Sequence, residues 1–309
     1  MTLFGLAALL FAVSKAQHGL MGVVAVAFAF WLAWRTPETR ARLAACVIGL
    51  VILSAIVWTV ADTPAYYTSQ ARFNLIFFWL LPNSKTPAQD LRELGLSPAD
   101  VRYSGMTSYS SMTPMNDAGF RDYFAARTSY SGVAKFYLRH PGRPLFKLLS
   151  DLRKEAPNRR VVYLSNYQRQ AGKPAGARDG QLGSWSALRT WLFRWWPAHI
   201  LIWLPIAICV PPFLASGGNS RRRRMLAWAI SIIALLAVAE FLTVSLADAC
   251  ETDRHLTMFH IFTDMTMFLG LVLAAGSFER QPGLAYRSEM HVLERSRRFE
   301  RNRPTPESV

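Results

Sequence analysis

The sequence predicts an all-α, polytopic transmembrane protein of about six spans, with a mostly helical extracytoplasmic insert. Three observations predict it. The 309-residue chain is 51% hydrophobic, its apolar residues are bunched into blocks, and many of its bases stand beside those blocks. A soluble core would need the apolar residues spread along the chain with helix or strand periodicity.

The spans follow in order. Thr2 to Val13 is apolar but short, and the polar stretch Ser14 to Gly19 separates it from a second run, Leu20 to Trp34. A secretory signal would need a basic start and a small-residue cleavage site. Neither is clear, so both runs read as helices, the first of them shortened. Leu43 to Ala61 holds no charge and, at a rise of about 1.5 Å per residue, covers a hydrocarbon layer of roughly 30 Å. Trp196 to Ser216, Met225 to Ala247 with Glu240, and His255 to Ala275 with His260 and Asp264 complete the set. In lipid, such a block satisfies its backbone only as a helix.

Net charge is +15 and the pI about 10.3, which in a soluble protein would raise nucleic-acid binding. Here the excess stands in short segments beside apolar blocks: Arg35 to Arg42, the run Arg221 to Arg224, and Arg280 to Arg303. That is the positive-inside pattern, so no nucleic-acid partner is expected and membrane lipids are. Placing Arg221 to Arg224 in the cytoplasm puts the other two basic segments there by alternation. Both termini are then cytoplasmic. The chain divides into N-terminal helices over 1–61, an extracytoplasmic segment over 62–195, C-terminal helices over 196–277 and a basic tail over 278–309. Cys46 and Cys209 fall inside spans and Cys250 stands apart, so no disulfide framework is predicted.

Within 62–195, Asn74 to Leu81 (NLIFFWLL) is too short to cross and stops at Pro82, which reads as a re-entrant or surface-lying helix. Pro87 to Leu96 sets Leu91, Leu94 and Leu96 near one face and closes on Gly95, a short amphipathic helix. Tyr103 to Met115 is Ser/Thr/Met-rich and reads as loop. From Asp117, Phe120, Phe124, Val133 and Phe136 form a helical stripe broken at Pro141, and Leu145, Leu148, Leu149 and Leu152 mark another helix. Val161 to Leu164 has strand composition but stands alone, and Gln168 to Gly183 reads as an extended loop. Trp185, Trp191, Trp195 and Trp196 then read as an aromatic belt at the outer interface.

Chemistry-bearing residues are densest at Asp248, Glu251, Asp253, Arg254 and His255, leading into His260 and Asp264. On a helix, His260 and Asp264 are neighbours four apart and share a face. Ionisable groups inside a span mark either a site or a structural pair. The first alternative is a polar pocket in which a carboxylate acts as a base or holds a sugar-phosphate with Arg254. The second is an Asp264–His260 pair that pins helices, beside a solvated turn. His255, His260 and Asp264 lack the ligand spacing of a metal site, so no metal is expected. Glu240 reads as a buried hydrogen-bond partner, or as a proton carrier in a transporter. Arg139, Arg143, Arg153, Arg159 and Arg160 offer an anion-binding surface or a solvated basic face. No phosphate loop, dinucleotide fingerprint or Ser/His/Asp order is present, and no cofactor is expected.

Three stretches, ARFNLIFFWLLPNSKTPAQDLRELGL (71–96), Phe136 to Pro141 and Glu251 to Phe259, look like a group of bacterial polytopic membrane proteins. Through them the chain, from Ser14 to Asp264, resembles the C-terminal part of GT-C-like glycosyltransferases, which use lipid-linked sugars outside the membrane. The resemblance implies a glycan-assembly protein that handles a polyprenyl-linked sugar or presents an acceptor. Such transferases carry their catalytic acid in the first outer loop, and here that loop, Lys15 to His18, has no carboxylate. The implied protein is therefore partial or non-catalytic: either the later part of a longer chain, which the apolar start at Leu3 favours, or a scaffold without the chemistry. No catalytic residue is carried over. The alternative is a non-enzymatic membrane scaffold or transporter-like component.

Overall fold

The computed structural model describes residues 9, 16–154, 156, 172–174, 177, 183–216, 221–247, 249–250 and 252–278. Among them every regular element is helical. The expected strand at Val161 to Leu164, the first span Thr2 to Val13 apart from Leu9, and the basic tail beyond Phe278 lie outside the described residues, as does most of the expected loop from Gln168 to Gly183.

Helices α1 (Ala16–Arg35) and α2 (Thr39–Ala61) form an antiparallel hairpin turned at Pro37. Small residues make the contact: Ala29, Ala33, Ala45 and Gly49 are all buried in it. A Cβ on Gly49 would stand 3.3 Å from the Phe30 ring, so the absent side chain lets the backbones close up, as membrane helices favour. The opposite face of α2 leaves Val47, Leu50, Val51, Val57 and Trp58 uncovered by protein.

The central segment opens with α3 (Ala65–Phe73), which runs into a π-helical stretch, Asn74–Leu80. Sequence suggested that this stretch lies on or in the membrane. Instead Leu75, Ile76, Phe77 and Leu80 are fully buried, forming the centre of a protein core. The reason is aromatic packing: Phe77 stacks on Phe73 at 4.6 Å, and Phe124 closes against Phe73 at 5.9 Å. The wider turn leaves the Phe77 carbonyl to accept from Gly105 N at 2.7 Å, while Asn74 Oδ1 accepts from Ser108 N at 2.7 Å. These bonds fasten the loop from Tyr103 onto the core.

Around this core lie α4 (Pro87–Glu93), α5 (Ala118–Arg127), α6 (Tyr130–Arg139) and α7 (Gly142–Lys154). Leu91, Leu94 and Leu96 are buried together as their spacing predicts. Gly95 takes φ +84, and the Leu96 amide returns to the Leu91 carbonyl, which ends α4. The helical stripe predicted from Asp117 as one run is cut at Thr128. Asp117 caps α5 and Ser129 caps α6, each side chain accepting from an amide three residues on.

The C-terminal part holds α8 (Ser184–Phe193), a π-helical stretch His199–Trp203 continuing as α9 (Leu204–Ser216), α10 (Arg221–Ala247), the short α11 (Thr252–His255) and α12 (Thr257–Phe278). The four arginines from Arg221, read from sequence as a short basic segment before the span at Met225, form the first turn of α10. Helix α10 is the hub, packing on α1, α7, α9 and α12. Gly270 brings α12 tight against α9: a Cβ there would stand 2.6 Å from Ile206 Cγ2.

Helices α2 and α10 are long and apolar enough to cross a membrane, and 22–35, 199–214 and 257–273 are shorter apolar helices. The bundle has distinct ends. Trp31 and Trp228 meet at 4.3 Å, and Leu214, Ala227 and Ile230 cluster with Leu273, so Arg35 and Arg224 share one end. At the other end Leu246 and Ala249 join the core of the central segment, and the Tyr130 hydroxyl donates to the Ala247 carbonyl at 3.2 Å.

Candidate functional site

Helix α8 reads SWSALRTWLF, which sets Trp185, Arg189 and Phe193 four apart on one face. Helix α12 sets His260, Thr263 and Asp264 on one face in the same way. The two faces meet. Arg189 Nε donates to Asp264 Oδ1 at 2.7 Å, and Arg189 Nη2 lies 2.7 Å from His260 Nδ1 and 3.3 Å from Thr263 Oγ1. The second carboxylate oxygen, Asp264 Oδ2, accepts from Trp185 Nε1 at 3.0 Å.

A guanidinium has no acceptor, so His260 Nδ1 must accept, which leaves the ring proton on Nε2. Thr263 relays in both directions, accepting from Arg189 and donating to the His260 carbonyl at 2.9 Å. The Arg189 side chain is 0% exposed. Its guanidinium lies over Phe193 at 5.0 Å, and Phe193 in turn stacks on the buried His199 ring at 4.1 Å. Phe259 flanks His199 and also meets Phe241 of α10, so three helices wall the cluster.

Glu240 is fully buried in α10, on the face of Ala237 and Val244, which share a core with Phe259 and Phe262. It directly precedes Phe241, which meets Phe259 of α12 at 5.4 Å.

The sequence-predicted residues therefore part company. His260 and Asp264 come together, but through Arg189 rather than as a pair by themselves. His255 is half-buried at the end of α11. Asp248 and Glu251 lie outside the described residues, and Asp253 and Arg254 are described only as backbone of α11. His255, His260 and Asp264 are not gathered as a three-ligand group, and no such group occurs among the described residues. Among the basic surface residues, Arg143 is committed to Asp90 at 2.9 Å, Arg139 and Arg153 are exposed, and Arg159 and Arg160 lie outside the described residues.

Trp185 needs correction as part of an interface belt: its indole bonds Asp264 and packs on Phe268 at 4.4 Å, whereas Trp191 and Trp195 are exposed. Arg189 was missed altogether. The signal was there: a lone arginine flanked at four-residue spacing by Trp185 and Phe193 lies on the apolar face of its helix.

What the arrangement does chemically is hold two helices. Both Asp264 oxygens and the His260 Nδ1 are engaged by α8, and breaking such a buried pair costs about 3–5 kcal/mol.

The exposed apolar faces and the closed polar interior define the class: a helical membrane protein. The chain belongs to the family described as the YfdI N-terminal transmembrane domain, whose model matches residues 1–282. The match supports a membrane protein family and shows no link to GT-C-like glycosyltransferases. No curated protein and no solved structure matches the chain.

Proposed function

We propose that this protein is a multi-pass component of a bacterial inner membrane that serves glycan assembly without itself catalysing a transfer. Its segment 62–195 is extracytoplasmic and presents an acceptor or a polyprenyl-linked sugar. The observation that carries this reading is the Arg189 clamp. The Asp264 carboxylate and the His260 Nδ1 that a transfer site at this patch would use are engaged by Arg189 in holding α8 to α12. The transmembrane-domain family supports the setting, and the resemblance carried by 71–96, 136–141 and 251–259 supports the link to lipid-linked sugars. In this reading the bundle has six spans, both termini are cytoplasmic, and the arginine-rich end faces the cytoplasm.

A transporter-like role is the second reading, favoured by Glu240, a fully buried acid in the C-terminal third of α10. Glu240→Gln separates the two: lost cellular function at normal abundance favours ion passage.

The test of the first reading replaces the ion pair by apolar residues, Arg189→Met together with Asp264→Leu, a change often neutral for packing. Membrane abundance and cell-surface glycan are both measured. Both stay near wild type in the double variant, and Asp264→Asn alone lowers both in step. Glycan lost at normal abundance in the double variant overturns the reading and makes the pair part of a reacting site.

A further inference from the structure

Helix α7 is built the wrong way round for water. Its inward face carries a charged pair, Lys147 and Asp151, exposed by only 1% and 4%, with Lys147 Nζ donating to Asp151 Oδ2 at 2.5 Å. The ammonium also lies over the Trp79 ring at 5.1 Å, and the buried Tyr137 phenol stands in the field of Asp151. The outward face carries Leu145, Phe146 and Leu149, exposed by 57%, 55% and 49%, beside Leu138 of α6 at 82%.

In water that arrangement loses twice: charges are desolvated and large apolar side chains are hydrated. It is favourable where the outward face meets a medium less polar than the helix's own interior contacts. Two further observations say which medium. Helix α7 packs on α10, and Leu152 of α7 joins the same core as Val244 of α10 and Trp203 at the head of α9. The uncovered face is therefore continuous with the sides of the apolar helices, at the level where the bundle meets the central segment. Basic side chains flank it: Arg139 before α7, Arg153 and Lys154 in its last turn, all exposed. An apolar stripe bordered by bases is the pattern of helices that lie in the headgroup–acyl boundary of anionic bilayers.

We propose that α7 is a membrane-immersed interfacial helix, with Leu145, Phe146 and Leu149 in the acyl region of the leaflet bordering the central segment and Arg139, Arg153 and Lys154 at its anionic headgroups. It takes the place that sequence assigned to Asn74–Leu81. The buried Lys147–Asp151 pair anchors the helix from its protein side, which leaves the apolar side for lipid. The proposal rests on the membrane class of the protein and is independent of its part in glycan assembly.

Site-directed spin labelling of the full chain in vesicles of phosphatidylcholine and phosphatidylglycerol tests it. With Cys46, Cys209 and Cys250 replaced by alanine, single cysteines are placed by Phe146→Cys and Leu149→Cys. Met112→Cys, on an exposed loop, is the aqueous reference, and Leu50→Cys, on the uncovered face of α2, is the lipid reference. These positions are exposed, so the labels leave the core undisturbed. At 146 and 149 the ratio of collision with oxygen to collision with a water-soluble nickel chelate is expected several-fold above that at 112 and close to that at 50. A ratio equal to that at 112 overturns the proposal by placing the face in water. Protection from both quenchers overturns it by placing protein, such as a second copy of the chain, on the face.

Discussion

Arg189 and Asp264 stand 75 residues apart in sequence and 2.7 Å apart in space, and the arginine side chain is wholly enclosed. Removing one partner leaves the other charge buried, whereas removing both leaves neither charge buried and takes a partner from the neutral Trp185 indole and the His260 ring. Arg189→Ala is therefore expected to cost about 3–5 kcal/mol and Arg189→Met with Asp264→Leu much less than the sum of the single changes. Thermal unfolding in detergent reads both. Additive losses would show that the two side chains act independently.

Gly270 sits where a Cβ would stand 2.6 Å from Ile206 Cγ2. Gly270→Ala should force α12 and α9 apart at a cost of about 1–3 kcal/mol, typical of overpacking. Ile206→Ala added to Gly270→Ala should recover much of that loss by emptying the space the methyl needs. A double variant less stable than Gly270→Ala would place the strain elsewhere.

The contact between His140 Nε2 and Glu93 Oε2, at 2.7 Å, ties α4 to the corner between α6 and α7. This hydrogen bond holds the Glu93 carboxyl below the usual carboxylate range, against a smaller opposing effect of desolvation. A lowered native pKa gives stability that is fully present above the unfolded value, about 4.3, and is lost as pH falls through the native value. The protection of the α4 amides, with exchange rates corrected for their intrinsic pH dependence, is thus expected to fall on acidification below about pH 4. In Glu93→Gln that acid-dependent part disappears; an unchanged pH profile would show that the contact carries none of it.

The shared end of Trp31 and Trp228 makes a topological prediction. Reporter fusions at Arg40 and Arg222 should report one compartment, and a fusion at Tyr130 the other. The positive-inside rule assigns the arginine side to the cytoplasm. Fusions at Arg222 and Tyr130 reporting the same compartment would contradict the arrangement.

Much of the fold is legible from residues alone where the physics is local. Leu43 to Ala61 reads as a helix because an uncharged run of that length has no other way to satisfy its backbone in lipid. Leu91, Leu94 and Leu96 read as one face and Gly95 as its end because helix period and positive φ are properties of a few adjacent residues. The reading fails where neighbours in space are distant in sequence. Asn74–Leu80 looked like a membrane-surface helix because its apolar residues were visible, while Phe120, Phe124 and the loop from Tyr103, which cover it, were not yet placed.

The candidate site divides along the same line. Composition marked His260 and Asp264 as ionisable groups inside an apolar block, and their shared face followed from helix geometry. Their partner did not, because Arg189 belongs to another helix and only packing brings it within hydrogen-bonding distance. Likewise Leu145 and Leu149 announce a helix, but which way its leucines face depends on the depth at which Lys147 and Asp151 find each other. Hydrophobicity and chain length alone determined that this is a helical membrane protein with its bases beside its spans. Which polar groups are joined, and which apolar face is left for lipid, only the tertiary structure decided, because pairing and burial are relations between segments that no single segment contains.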